Sequence, residues 1–107
     1  MKKLVRDRIP EIIKSKGELP SFYIAKDEEF FKALNDKLFE ECGELVGSKS
    51  NLEVVEEIAD VLEVIDEIMA QKGIKHGDVL KIKEDKKIKK GGFTKKYILN
   101  MVDFYKK

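Results

Sequence analysis

Leu52-Glu53-Val54-Val55-Glu56-Glu57-Ile58-Ala59-Asp60-Val61-Leu62-Glu63-Val64-Ile65-Asp66-Glu67-Ile68-Met69-Ala70-Gln71-Lys72 is the stretch that decides the fold. Val54, Val55, Ile58, Val61, Leu62, Ile65, Ile68 and Met69 recur at helical spacing and form a heptad-like apolar stripe. Gly73 follows, a residue suited to ending a helix. The segment reads as one long helix from about Leu52 to Lys72.

Moving back along the chain, Gly47-Ser48-Lys49-Ser50-Asn51 reads as a turn. Before it, Phe30, Phe31, Leu34, Leu38, Cys42 and Leu45 recur every three or four positions, which predicts another long helix. Asp27 suits its N-cap, and Glu28 and Glu29 suit the positive end of its dipole. Two long helices joined by a short turn make an antiparallel hairpin. Pro10 can open a short helix running through Lys16, with Gly17 ending it. Ser21-Phe22-Tyr23-Ile24-Ala25 reads as extended. A weaker helix is expected from about Gly77 to Lys89, with Val79, Leu80, Ile82 and Ile88 as apolar contacts, His76 marking its approach and Gly91-Gly92 its end. Phe93 to Lys107 is apolar enough to dock, without an assignable element. The expectation is an all-α fold: a helical hairpin plus shorter helices, in one domain spanning residues 1–107. A hairpin cannot cover both of its stripes alone, so a helical-bundle homodimer or homotetramer is expected.

Composition narrows the function. The 107 residues carry 42% apolar and 40% charged side chains and a formal net charge of +1. That balance argues against a dedicated duplex-DNA binder, which shows a clear basic excess. Charges are mostly acidic from Glu40 to Glu67 and mostly basic from Lys72 to Lys96. Two solvated surfaces of opposite sign explain this on charge alone; a metal and a polyphosphate are the functional alternative. Cys42 is the one cysteine, so an intrachain disulfide is excluded and a reducing, cytoplasmic setting is expected. The opening Met1-Lys2-Lys3-Leu4-Val5-Arg6-Asp7 has no apolar run of signal-peptide length, and no stretch reaches the length of a membrane span.

The strongest chemical signal is a repeated carboxylate spacing. Glu40-Glu41-Cys42-Gly43-Glu44 lies on the first long helix and Glu56-Glu57-Ile58-Ala59-Asp60 on the second. Glu41/Glu44 and Glu57/Asp60, each three apart, share a helix face. At roughly 100° per residue, Glu41 falls inside the stripe of Leu34, Leu38 and Leu45, with Glu44 at its edge. Glu57 borders the stripe of its own helix, and Asp60 lies one step further out. A single acidic pair of this kind is usually just solvated. Two pairs on partner helices, one intruding on leucines, call for a compensating cation. An all-oxygen ligand set suits Mg2+ or Mn2+ rather than zinc or copper, and magnesium commonly bridges to substrate phosphates. The Glu-x-x-His pattern of ferritin-like di-iron sites is not present, nor are the pieces of a Ser-His-Asp or Cys-His system.

These residues resemble a known family. Lys37-Leu38-Phe39-Glu40-Glu41-Cys42-Gly43-Glu44, followed by Glu57-Ile58-Ala59-Asp60, is similar to the paired motif of the MazG-like, all-alpha nucleoside triphosphate pyrophosphohydrolases. Lys3-Leu4-Val5-Arg6-Asp7-Arg8-Ile9-Pro10-Glu11-Ile12-Ile13 and Lys90-Gly91-Gly92-Phe93 resemble a small-protein branch labelled phosphoribosyl-ATP pyrophosphohydrolase-like. The resemblance implies Mg2+-dependent hydrolysis of a nucleoside triphosphate to the monophosphate and pyrophosphate. It implies Glu41, Glu44, Glu57 and Asp60 as metal ligands, with Glu41 and Glu40 catalytic; Glu40 would bind a second ion or orient the attacking water. The residues around the acidic skeleton, Asp36-Lys37-Leu38-Phe39, differ from the Lys-Lys-Val-Gly of histidine-biosynthetic members, which points toward a broad or house-cleaning specificity.

Supporting residues have two readings each. Lys37, one turn before Glu41, can reach a substrate phosphate or be a surface charge. Arg6 and Arg8, flanking Asp7, can bind phosphate bidentately, or Arg6 and Asp7 can tie the N-terminus to the body. Lys90, Gly91 and Gly92 can place a cation and backbone N–H groups against a polyphosphate, or simply stop a helix; Lys86 is a weaker candidate. Phe93 can stack on a base or plug the core, with the core favoured; Cys42 reads as a buried core residue. The competing function is a non-catalytic helical dimerisation or nucleotide-sensing module on the same scaffold.

Overall fold

The computed structural model describes residues 2–100. Those residues form four helices, α1 (Ile9–Ser15), α2 (Asp27–Val46), α3 (Asn51–Lys72) and α4 (His76–Lys90), with no strand among them. The chain divides into two compact units, residues 1–73 and 74–107.

In the first unit, α2 packs against α3. The ends of these helices follow from local chemistry. Ser50 caps α3: its Oγ accepts the Glu53 N–H at 3.2 Å, while Glu53 Oε2 accepts the Lys49 N–H at 2.6 Å. This reciprocal Ser-x-x-Glu arrangement satisfies two orphan donors and starts the helix at Asn51, one residue before the expected Leu52. Gly73 closes it in the left-handed region at φ 66°, where a side chain would be strained. Asp27 is the first residue inside α2 rather than its cap. Lys26 holds the cap position without a side-chain bond, and Asp27, Glu28 and Glu29 act through the helix dipole instead. Pro10 sits in the first turn of α1. Gly17 (φ 85°) ends that helix in a Schellman turn: Gly17 N–H donates to Lys14 and Glu18 N–H to the Ile13 carbonyl.

The covered core is thin. Leu34 of α2 and Val64 and Met69 of α3 are the buried apolar residues among those described. The stripe read from the sequence of α3 resolves into two faces. Glu57, Val61, Val64 and Ile68 are half-buried or buried, at the spacing of a face turned toward a neighbouring helix. Leu52, Val55, Ile58 and Leu62 remain exposed, roughly on the opposite side by helical geometry. On α2, Phe39 and Val46 are exposed as well. Cys42 is also exposed, not a core residue; on α2 it falls with Phe39 and Val46, away from the Leu34–Glu41 face.

The second unit holds α4, whose last turn carries Lys87, Lys89 and Lys90 and which ends at Gly91, φ 84°. Phe93 is 93% exposed, so it fills no core. The final part of the Phe93–Lys107 tail lies outside the described residues. No helix among the described residues is long and apolar enough to cross a membrane.

Candidate metal centre

Glu41 is placed where its position among leucines dictates. It is only 6% exposed, the one charged residue buried among those described. Carboxylate oxygens of Glu41, Glu44 and Glu57 all lie within 4.8 Å of one another, with Glu44 exposed and Glu57 half-buried. The hairpin brings them together because Glu41 and Glu44 sit on the C-terminal half of α2 and Glu57 on the facing N-terminal half of α3.

Two oxygens of these residues, Glu41 Oε2 and Glu57 Oε2, are buried without a hydrogen-bond partner. An unsatisfied buried carboxylate oxygen is costly. Burial, reinforced by the adjoining Glu44 and Glu41 carboxylates, pushes the Glu57 carboxyl up to about 7. Two carboxylates this close can hydrogen-bond only when one carries a proton; the raised proton affinity of Glu57 expresses that need. A hard divalent cation would answer the same conflict. The donor set fits one: three carboxylates from two helices, all oxygen, within 4.8 Å of one another.

The remaining acidic residues of the motif are partnered by cations of the chain. Arg6 Nη2 donates to Asp60 Oδ1 at 2.8 Å. Lys3 Nζ lies 2.6 Å from Glu40 Oε1. That pairing holds the Glu40 carboxyl below the usual range and raises the Lys3 ammonium, with the mutual hydrogen bond as the main cause. Lys37 stands 3.8 Å from Glu40 Oε1 and 3.6 Å from Glu41 Oε1. Asp60, half-buried, is therefore held by Arg6 beside the Glu41–Glu44–Glu57 cluster, and the tie between N-terminus and body runs from Arg6 to α3. Arg8 pairs with Glu11 at the start of α1, 2.7 Å apart.

The N-terminal segment and the hairpin enclose a groove of about 620 Å³. Lys3, Arg6 and Lys37 line it together with Glu41, Asp60 and Glu63. Cations and carboxylates thus line the same groove, with Leu4, Val5, Ile9, Leu34 and Val64 as its apolar lining. In the second unit, Lys86 and Lys90 lie on α4 and Gly91 and Gly92 follow it; the Gly91 N–H closes the helix on the Lys87 carbonyl at 2.8 Å.

Lys3 is the site residue that sequence reasoning missed. Its partner Glu40 is remote in sequence, and the lead-in has no helical period to place it. Its one available signal was the basic spacing Lys3, Arg6 ahead of Pro10.

No protein-family model matches the chain, and no solved structure matches it. An uncharacterized protein of Mycolicibacterium smegmatis (strain ATCC 700084 / mc(2)155) is 49% identical over 45 residues, which make up 42% of this chain and 46% of that protein. The match thus spans less than half the length of that curated relative, and its name carries no activity.

Proposed function

We propose that the protein is a Mg2+-dependent nucleoside triphosphate pyrophosphohydrolase of the MazG-like kind, acting in the cytoplasm on canonical or damaged nucleotides. One observation carries the reading: Glu41 and Glu57, each with a buried Oε2 that lacks a hydrogen-bond partner, meet with Glu44 in a single acidic cluster. A structural helix pair has no use for such an arrangement, because apolar residues of similar volume would pack there without the electrostatic cost. The groove beside the cluster, with Lys3, Arg6 and Lys37 on its walls, supports a polyanionic substrate.

In this reading Glu41, Glu44 and Glu57 would hold the cation, and Asp60 would join them once free of Arg6. A cation bound there would supply charge stabilisation on the phosphate oxygens. Glu40, at the edge of the cluster, orients the attacking water and accepts its proton. Lys37 and Arg6 bind phosphate oxygens; the guanidinium of Arg6 is suited to a bidentate grip. On the resemblance alone, Lys86, Lys90, Gly91 and Gly92 of the second unit remain candidate phosphate-binding residues. The exposed apolar faces of α2 and α3 support assembly as a helical-bundle homodimer or homotetramer, since such faces mark interaction surfaces when contiguous.

The test is a panel of canonical and modified nucleoside triphosphates with Mg2+, followed by separate detection of pyrophosphate and orthophosphate. Equimolar pyrophosphate and monophosphate, abolished by chelator, is the expected result. Binding without turnover across the panel would replace the enzyme with a nucleotide-sensing module.

A further inference from the structure

Both ends of one short segment grip acidic residues of the motif. Lys3 holds Glu40 on α2 at 2.6 Å, and Arg6 holds Asp60 on α3 at 2.8 Å. Residues 3–6 thus span the hairpin beside the Glu41–Glu44–Glu57 cluster, and the same residues line the groove that a substrate would enter. These pairs sit at the surface: the side chains are 49% and 31% exposed for Lys3 and Glu40, and 58% and 38% for Arg6 and Asp60. Ion pairs this exposed are weak and exchangeable. By contrast, Oε2 of Glu41 and Oε2 of Glu57, both buried, have no hydrogen-bond partner to exchange.

We infer that the N-terminal segment is a latch whose cations stand in for metal and are handed over to the substrate. Arg6 and a divalent cation compete for the Asp60 carboxylate, because two positive charges on neighbouring oxygens repel at short range. When Asp60 turns to the cation, Arg6 is released. The ligand left for Arg6 and Lys3 is the triphosphate of the nucleotide, whose oxygens accept the same charge-assisted bonds that the carboxylates accepted. The segment then closes over the substrate, so metal loading and substrate capture are coupled through Arg6. This inference rests on the metal and nucleotide reading given above. Arg6 is in this account a positioning and binding residue, and its effect is visible without turnover.

The experiment is calorimetric titration of Mg2+ into the full chain without nucleotide, for the wild type, Arg6→Ala, Asp60→Asn and Glu41→Gln, paired with limited trypsin digestion read at the Lys3–Leu4 and Arg6–Asp7 bonds. The latch predicts that Arg6→Ala binds Mg2+ tighter, on the order of fivefold, as expected for removing a competing half-exposed ion pair. It predicts weaker binding of a non-hydrolysable triphosphate analogue to that variant at saturating Mg2+. It also predicts that Mg2+ alone speeds cleavage at the two bonds in the wild type, and that adding the analogue slows it again. If Arg6→Ala leaves Mg2+ affinity unchanged or weakens it while Glu41→Gln abolishes binding, the latch is overturned and the metal site stands. If neither Glu41→Gln nor Asp60→Asn alters Mg2+ binding, the metal reading itself fails.

Discussion

Glu41 on α2 and Glu57 on α3 bring their carboxylates into one cluster from facing helices, and each keeps a buried Oε2 that no donor satisfies. The packing of α2 against α3 holds the two carboxylates side by side. The conflict between the carboxylates and the packing that enforces it lead to the following expectations.

Stability without metal should fall with rising pH between about 4.5 and 7. The folded Glu57 carboxyl titrates near 7, above its ordinary value of 4.5, so in that window the folded chain holds more protons than the unfolded one. The contribution is fully present below pH 4.5 and lost as pH rises through 7. Glu40 is shifted the other way by Lys3, and its effect falls below pH 4.5, outside this window. Thermal melts in chelator at pH 5, 6, 7 and 8 check the direction; a melting temperature that climbs across the window would contradict it.

Mg2+ affinity should run opposite to that stability. A cation requires the deprotonated Glu57, so apparent affinity rises with pH, by up to about tenfold per unit below 7, then levels off. Calorimetric titrations at pH 6, 7 and 8 give the profile. A flat profile would mean that Glu57 takes no part in binding.

Glu57→Gln should separate the two effects in one variant. Removing the charge relieves the repulsion with Glu41 and Glu44, so the metal-free protein should melt at a higher temperature than the wild type. The gain on adding Mg2+ should shrink or vanish. Differential scanning fluorimetry with chelator and with 10-fold steps of Mg2+ reads both numbers from the same plate.

Glu41→Gln and Asp60→Asn should each reduce pyrophosphate release by about two orders of magnitude or more, the scale typical of losing a group that acts in the transition state. Far-ultraviolet circular dichroism should be unchanged, since glutamine and asparagine keep the volume. Full activity in both variants would remove these residues from the chemistry.

Ile58→Lys and Leu62→Lys should act on assembly rather than on the carboxylates. Both side chains are exposed on the outer face of α3, 43% and 53%. Light scattering after size exclusion should show a dimer or tetramer for the wild type and a smaller species for the double variant. A wild-type monomer would leave that face without the proposed partner.

Much of this was readable in advance, and the exceptions have physical reasons. The hairpin was legible because apolar residues at helical spacing on both sides of Gly47–Asn51 admit little else. Burial of Glu41 followed from its place beside Leu34, about 20° away on the wheel, at the stripe that Leu38 and Leu45 continue. The two faces of α3 were not separated, because Val55, Ile58 and Leu62 are as apolar as Val61, Val64 and Ile68. Hydropathy alone does not tell which of them meets a neighbour. Cys42 was misplaced for the same reason on α2. Asp27 looked like a cap because its side chain suits one, yet Lys26 takes the extended backbone position. The pairs Lys3–Glu40 and Arg6–Asp60 were illegible, since they join a non-periodic lead-in to helices far along the chain.

The most direct measurement is a crystal of the protein soaked in Mn2+, with anomalous diffraction collected to locate the ion. The account predicts a peak among the carboxylates of Glu41, Glu44 and Glu57, with oxygens about 2.1 Å away, and Arg6 displaced from Asp60. Manganese found only at scattered surface acids, with the Glu41 and Glu57 oxygens still unligated, would contradict it.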